Sequence, residues 1–155
     1  MNIELRAATA QDAKAVRALV EVVLPATYDP FNPDYAQREL AEFDLADLPE
    51  KLRDGAYVLA TLNDRVIGLA SAVVDDQDRF VMSTLHVHPD HQGSRLGSRL
   101  LTEVLALADD VPLWTRYPLG DDNAAAFCAR HGFVPVDEID DAPYGVVVWV
   151  RRDPA

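Results

Sequence analysis

Apolar positions along the chain change period several times, and each change marks an element. Ile3 and Leu5 alternate with polar neighbours, which predicts a short first strand. Thr9, with Asp12 three residues on, has the spacing of a capping box, and Ala13, Val16, Val20 and Val23 then recur at helical intervals. Pro25 is expected to end that helix. A weaker helix is predicted from Tyr35 to Phe43, set off by Pro30, Pro33 and Pro49. Ala56–Thr61 and Val66–Val74 read as strands around an Asn63-Asp64 hairpin turn, and Phe80–Val87 reads as a third. After Pro89 the period becomes helical, with Leu96, Leu100, Leu101, Val104, Leu105 and Ala108 on one face. A strand Val111–Thr115, a helix from about Asn123 to His131 closed by Gly132, and strands Phe133–Val136 and Val146–Val150 complete the chain.

The predicted order is therefore β-α-α-β-β-β-α-β-α-β-β. Its fold class is α+β, a central mixed sheet whose parallel part is the strand-helix-strand unit 80–115. No internal repeat, low-complexity tract or linker divides the 155 residues, so the expectation is one domain over 1–155.

Composition narrows the class. Hydrophobic residues make up 49% and charged ones 26%, which is globular rather than disordered. The longest apolar stretches, near Val66–Val74 and Val104–Ala108, are too short to cross a bilayer. The opening Met1-Asn2-Ile3-Glu4 lacks the layout of a secretion signal, and the lone Cys128 has no partner for an internal disulfide; a cytoplasmic protein is expected. The net charge of −12 argues against nucleic-acid and anionic-membrane partners and mildly favours cationic ligands, although solubility or habitat is the better account of it. Both a monomer and a homodimer fit.

Candidate chemistry concentrates between Leu85 and Leu101, where a strand runs through a glycine-bearing turn into an amphipathic helix. The first amides of that helix have no intrahelical partners, and its dipole adds partial positive charge. Gly93 and Gly97 allow a ligand close to the backbone, and His91, Arg95 and Arg99 add local positive charge. An anionic group such as a pyrophosphate suits this start.

Leu85, Val87, Pro89, Gln92 and Gly97 fall on the signature positions Leu-x-Val-x-Pro then (Gln/Arg)-x-x-Gly-x-(Gly/Ala), and the segment resembles that of the GNAT N-acetyltransferase family. Leu5-Arg6-Ala7-Ala8-Thr9-x-x-Asp12 and Ala126-Phe127-Cys128-Ala129-Arg130-His131-Gly132-Phe133 resemble that family's opening and last helix, in the family's order. The resemblance implies helices on both faces of the sheet and acetyl-CoA as co-substrate, with no metal. It places the cofactor against Leu85, His86, Val87, Gln92, Gly93, Ser94, Arg95, Leu96, Gly97 and Ser98, with Asn123, Phe127 and Cys128 from the last helix. The fourth strand and the strand at 111–115 would splay to admit the pantetheine arm, which would pair with the backbone of Leu85 and Val87. The chain departs from the pattern twice: Arg95 stands where the cradle has a glycine, and Cys128 where the last helix has a tyrosine. Either Asp121 or Asn123 holds the place of that helix's asparagine.

The implied reaction carries an acetyl group to an amine acceptor, a small molecule or a protein. Candidate catalytic residues are Cys128 as proton donor or as simple packing, Ser83 as holder of a relaying water, and His86, which faces away from Leu85 and Val87. His131 is expected to finish its helix, with a charge that suits the dipole. Tyr28, Phe31, Tyr117 and Tyr144 are candidate acceptor contacts, and Tyr117 and Tyr144 are also alternative proton donors. Asp29 and the acidic run Asp137, Glu138, Asp140 and Asp141 would favour a cationic amine, or form a solvated loop. A non-catalytic acyl-CoA sensor is the second reading. His86, His88 and His91 lack the cysteine or spaced carboxylate that would complete a metal site. A dinucleotide-binding fold would need Gly-x-Gly-x-x-Gly directly after a strand, and this chain has none.

Overall fold

The structure is a computed structural model that describes residues 2–142 and 145–154. Among the described residues seven strands form one sheet, in which the first five lie side by side in chain order and the seventh sits between the fifth and the sixth. In sequence they are β1 (Ile3–Ala7), β2 (Ala56–Leu62), β3 (Arg65–Val74), β4 (Phe80–Val87), β5 (Leu113–Pro118), β6 (Val134–Asp140) and β7 (Val146–Arg152). Among the described residues five α-helices accompany them: α1 (Ala13–Tyr28), α2 (Pro33–Ala41), α3 (Leu48–Asp54), α4 (Leu96–Ala108) and α5 (Asp122–Arg130). Among the described residues, no helix is long and apolar enough to cross a membrane.

Strand alternation splits the core into two layers. Leu59 and Leu69 pack with Val16, Val20, Val23 and Leu24 of α1 and with Leu48 and Leu52 of α3. Their neighbours Ala60 and Ala70 pack with Leu96, Leu100, Leu101 and Val104 of α4 and with Cys128 of α5. Helices therefore cover both faces, as the resemblance implies. Asn63 and Asp64, both at positive φ (51° and 64°), make the tight β2–β3 turn.

The structure corrects the pattern reading at four places. Pro25 does not end α1, which continues to Tyr28. An interior proline costs about 3 kcal/mol, but Val16, Val20, Val23 and Leu24 are all essentially fully buried, each contributing about 1.5–3 kcal/mol. Helix α3 is additional: seven residues with one buried pair, Leu48 and Leu52, too short to show a period. β5 begins at Leu113 rather than Val111, because positive φ at Asp109 (52°) turns the chain and leaves Val111 exposed. β6 begins at Val134 and runs to Asp140, an edge strand exposed throughout, whereas Phe133 is buried ahead of it.

Two irregularities break the sheet near its centre. Ser71 opposes Thr84 while Ala72 opposes Met82, so Ser83 bulges out of register on β4. Just before it, the parallel β4–β5 pair holds for only two positions, Phe80↔Leu113 and Val81↔Trp114, and then the strands part. Thr115 Oγ1 donates to Met82 O at 2.9 Å just past the parting.

Candidate active site

A cleft of about 1290 Å³ opens where β4 and β5 separate, floored by β4 and β5 and walled by the N-terminus of α4, by α5 and by the end of α1. That exceeds the roughly 300–1,000 Å³ of ordinary small-ligand pockets and suits a long ligand.

At one end lies the start of α4. The first intrahelical bond runs from Arg99 N to Arg95 O (3.1 Å), so the amides of Leu96, Gly97 and Ser98 have no partner within the helix. Arg95 is the cap residue, yet its side chain makes no capping hydrogen bond. It stands in left-handed conformation (φ 63°, ψ 18°), the geometry that glycine meets without strain. Gly93 precedes it at φ 86° with no atom within 4 Å of an added Cβ. At Gly97 a Cβ would lie 3.5 Å from Phe127 Cε2, ordinary contact with α5. Gln92 Nε2 donates to Val87 O at 3.2 Å, tying the turn to the end of β4.

The middle of the cleft belongs to β4, β5 and α5. Leu85, Val87, Tyr117, Asn123, Phe127 and Cys128 all line it. Asp121 caps α5, accepting from Ala124 N at 3.1 Å, so the cap falls at 121 and Asn123 sits in the first turn. Burial, with Asp121 nearby, pushes the Cys128 thiol up to about 11. Burial also raises the Tyr117 phenol, with Cys128 and Asp121 adding to it. Ser83 Oγ lies 2.9 Å from Ser71 Oγ at the bulge.

The far end is formed by Thr27, Tyr28, Pro30 and Phe31 against His86 and Arg116. His86 is only 8% exposed, with its ring edge-on to Tyr28 at 6.2 Å. Desolvation lowers its pKa to about 4, so the imidazole is uncharged at neutral pH. Burial raises the phenols of Tyr28 and Tyr35, whose rings are 4.7 Å apart.

Most sequence-derived candidates are thus brought together. Ser83, Leu85, His86, Val87, Gln92, Gly93, Arg95, Leu96, Gly97, Ser98, Asn123, Phe127, Cys128, Tyr28, Phe31 and Tyr117 all line the one cleft. Ser94 does not; its hydroxyl donates to His91 O at 2.6 Å and holds the turn. Tyr144 lies outside the described residues. The acidic residues expected around an acceptor are also elsewhere: among the described residues, Asp29, Asp137, Glu138, Asp140 and Asp141 are absent from the cleft lining, and Asp141 pairs with Arg38. His131 caps α5 but is not a charged cap, since burial, Arg130 and Arg152 lower its pKa; its Nε2 is 2.9 Å from Ser98 Oγ. The lining adds Arg116 and Arg130, which sequence patterning does not single out as site residues because an isolated arginine carries no pattern. Among the described residues no group of three His, Cys, Asp or Glu side chains is placed to hold a metal ion.

Comparison with known proteins agrees with this geometry. A family model described as acetyltransferase (GNAT) family matches residues 16–133. The fold is similar to that of PaiA N-acetyltransferase from Thermoplasma acidophilum in complex with coenzyme A (TM-score 0.80, 14% identity, 99% of this chain and 100% of that one). It is also similar to an N-acetyltransferase from Staphylococcus aureus Mu50 (TM-score 0.78, 17% identity, 99% and 98%). A third likeness is Arabidopsis thaliana Naa50 in complex with the bisubstrate analogue CoA-Ac-MVNAL (TM-score 0.70, 19% identity, 99% and 100%). No curated protein matches the chain in sequence.

Proposed function

The chain belongs to the GNAT family of acetyltransferases, and from that premise we propose that it moves an acetyl group from acetyl-CoA to a primary amine of a small molecule or protein, residues 1–155 working as one catalytic domain. One observation carries the reading: β4 leaves β5 after two paired positions, and the gap runs straight to the unbonded amides of α4. A fold similar to that of a protein crystallised with coenzyme A supports it.

The residues fit such a ligand. Beyond Val81, β4 has no ladder partner on the β5 side among the described residues, so the backbone of Leu85 and Val87 can pair with the amides of a pantetheine arm as an added strand would. The amides of Leu96, Gly97 and Ser98 face the diphosphate with the positive end of the helix dipole behind them, and exposed Arg95 lies alongside.

When bound, acetyl-CoA supplies a thioester: the amine nitrogen bonds to the carbonyl carbon, the C–S bond breaks, and the sulfur leaves as a thiolate that takes up a proton. Backbone N–H at the end of β4 polarises the carbonyl. Tyr117 O–H, on the α5 side of the cleft, supplies the sulfur's proton. The Cys128 thiol, held protonated by its raised pKa, lines the arm rather than reacting. Tyr28 and Phe31 hold the acceptor's apolar part. His86 Nε2 or Nδ1, uncharged, accepts a hydrogen bond from the incoming amine without keeping its proton. The Ser83–Ser71 hydroxyl pair holds a water that carries that proton away.

The test is thiol release from acetyl-CoA across an amine panel. Saturable, amine-dependent release supports the reading. Tight coenzyme A binding with no release for any amine supports a sensor module instead, a reading favoured by Cys128 at the tyrosine position and by the weak basicity of His86.

A further inference from the structure

The acceptor end of the cleft carries a charge that the acetyl-transfer reading leaves unused. Arg95 and Arg130 lie at the cradle end, where His131 ties α5 to α4. Arg116 lies on β5, with its guanidinium on the α2 side of the sheet. It is 5.3 Å from the Trp149 ring and 3.7 Å from Glu39 Oε1. Its side chain is 28% exposed and, among the described residues, donates no hydrogen bond. A guanidinium has five N–H donors in a planar fork that matches a carboxylate.

Arg116 is the end member of a chain of alternating charges: Asp141, Arg38, Glu39, Arg116. Glu39 is shared, with Arg38 Nη2 also 3.7 Å away, too far for a hydrogen bond to either arginine. Burial raises the Glu39 carboxyl above its ordinary range, against the pull of Arg116 and Arg38. Arg116 lines the cleft together with Tyr28 and His86, and also the adjoining groove with Arg38, Trp149 and Asp141, and among the described residues its donors are spent on a hydrogen bond in neither.

Resting on the acetyl-transfer reading, we propose that Arg116 binds a carboxylate of the acceptor, so that the amine acetylated here belongs to an amino acid. A bidentate guanidinium–carboxylate pair in a partly dehydrated cleft supplies both orientation and affinity. Among the described residues the cleft lining holds one carboxylate, Asp121 at the α5 cap, to set against the acceptor's amine.

The experiment uses the twenty amino acids, their primary amides, and wild-type, Arg116→Gln and Arg116→Lys protein. At least one amino acid should exceed its own amide in kcat/KM by about ten- to hundredfold, as hydrogen bonds to a charged group are worth. The ratio should fall to about one in Arg116→Gln, through KM, and partly survive in Arg116→Lys, which keeps the charge but not the fork. Circular dichroism checks that each variant is folded. An amide used as well as its acid by wild type, or an undiminished ratio in folded Arg116→Gln, overturns the proposal. If no amine of any kind releases thiol, the acetyl-transfer reading fails. The carboxylate site is then judged by calorimetric titration of N-acetyl amino acids into protein saturated with coenzyme A. Binding that Arg116→Gln loses upholds it, and absence of binding overturns it.

Discussion

Arg95 occupies a backbone conformation that costs an L-residue about 1–2 kcal/mol, at the position where a phosphate-binding turn is best served by glycine. Glycine there loses about 0.5–1 kcal/mol in unfolded-state entropy, so Arg95→Gly should raise stability by about 0.5–1 kcal/mol in urea unfolding. The same change should weaken coenzyme A binding a few-fold, more at low salt, because an exposed charge contact is screened. A loss independent of salt would count against a charge clamp. His86 makes a second prediction. Its folded pKa of about 4 lies below the unfolded value near 6.5, so the unfolded state binds the proton first and stability falls as pH drops through that window. Between about pH 7.5 and pH 5 the loss attributable to His86 is about 2 kcal/mol, and His86→Gln should remove it from the pH profile of urea unfolding. A third concerns Cys128, whose buried, protonated thiol implies that Cys128→Ala keeps turnover within a few-fold; a collapse would make it the proton donor.

At the level of elements, α4 and β4 are where sequence and structure agree most closely. Phe80–Val87 and Leu96–Ala108 have the bounds that the apolar run and the helical spacing predict, because β4 is apolar over most of its length and α4 buries one unbroken face. Pro25 misleads because a local breaker is overruled by burial at long range, and α3 hides because two leucines are no period. The bulge at Ser83 is invisible in the sequence for a related reason: a one-residue slip depends on what β3 offers opposite, not on Ser83 itself. The α4 start makes its own prediction. Gly97 has room for a methyl group beside Phe127, so Gly97→Ala should bind coenzyme A nearly as wild type does. Gly97→Glu should lose at least about tenfold in affinity, by setting a carboxylate against phosphate, and calorimetry with both variants measures the contrast.

Across the whole molecule, a net charge of −12 coexists with a cleft whose described lining holds Arg95, Arg116 and Arg130 against Asp121 alone. Net charge suggests a cationic acceptor; the distribution of charge points the other way, since the acidic run of β6 lies outside the cleft. Sequence spacing locates the cradle because turn, cap and helix are contiguous there. The acceptor end is legible only in part: Tyr28, Phe31 and His86 stand out by residue type, but Arg116 does not, because the end joins three separate elements. Everything proposed for this protein depends on coenzyme A entering between β4 and β5. Isothermal titration of coenzyme A into the purified protein measures that most directly. Saturable binding of one equivalent, lost in Gly97→Glu, is the expected result; no heat of association, or equal binding by that variant, would contradict it.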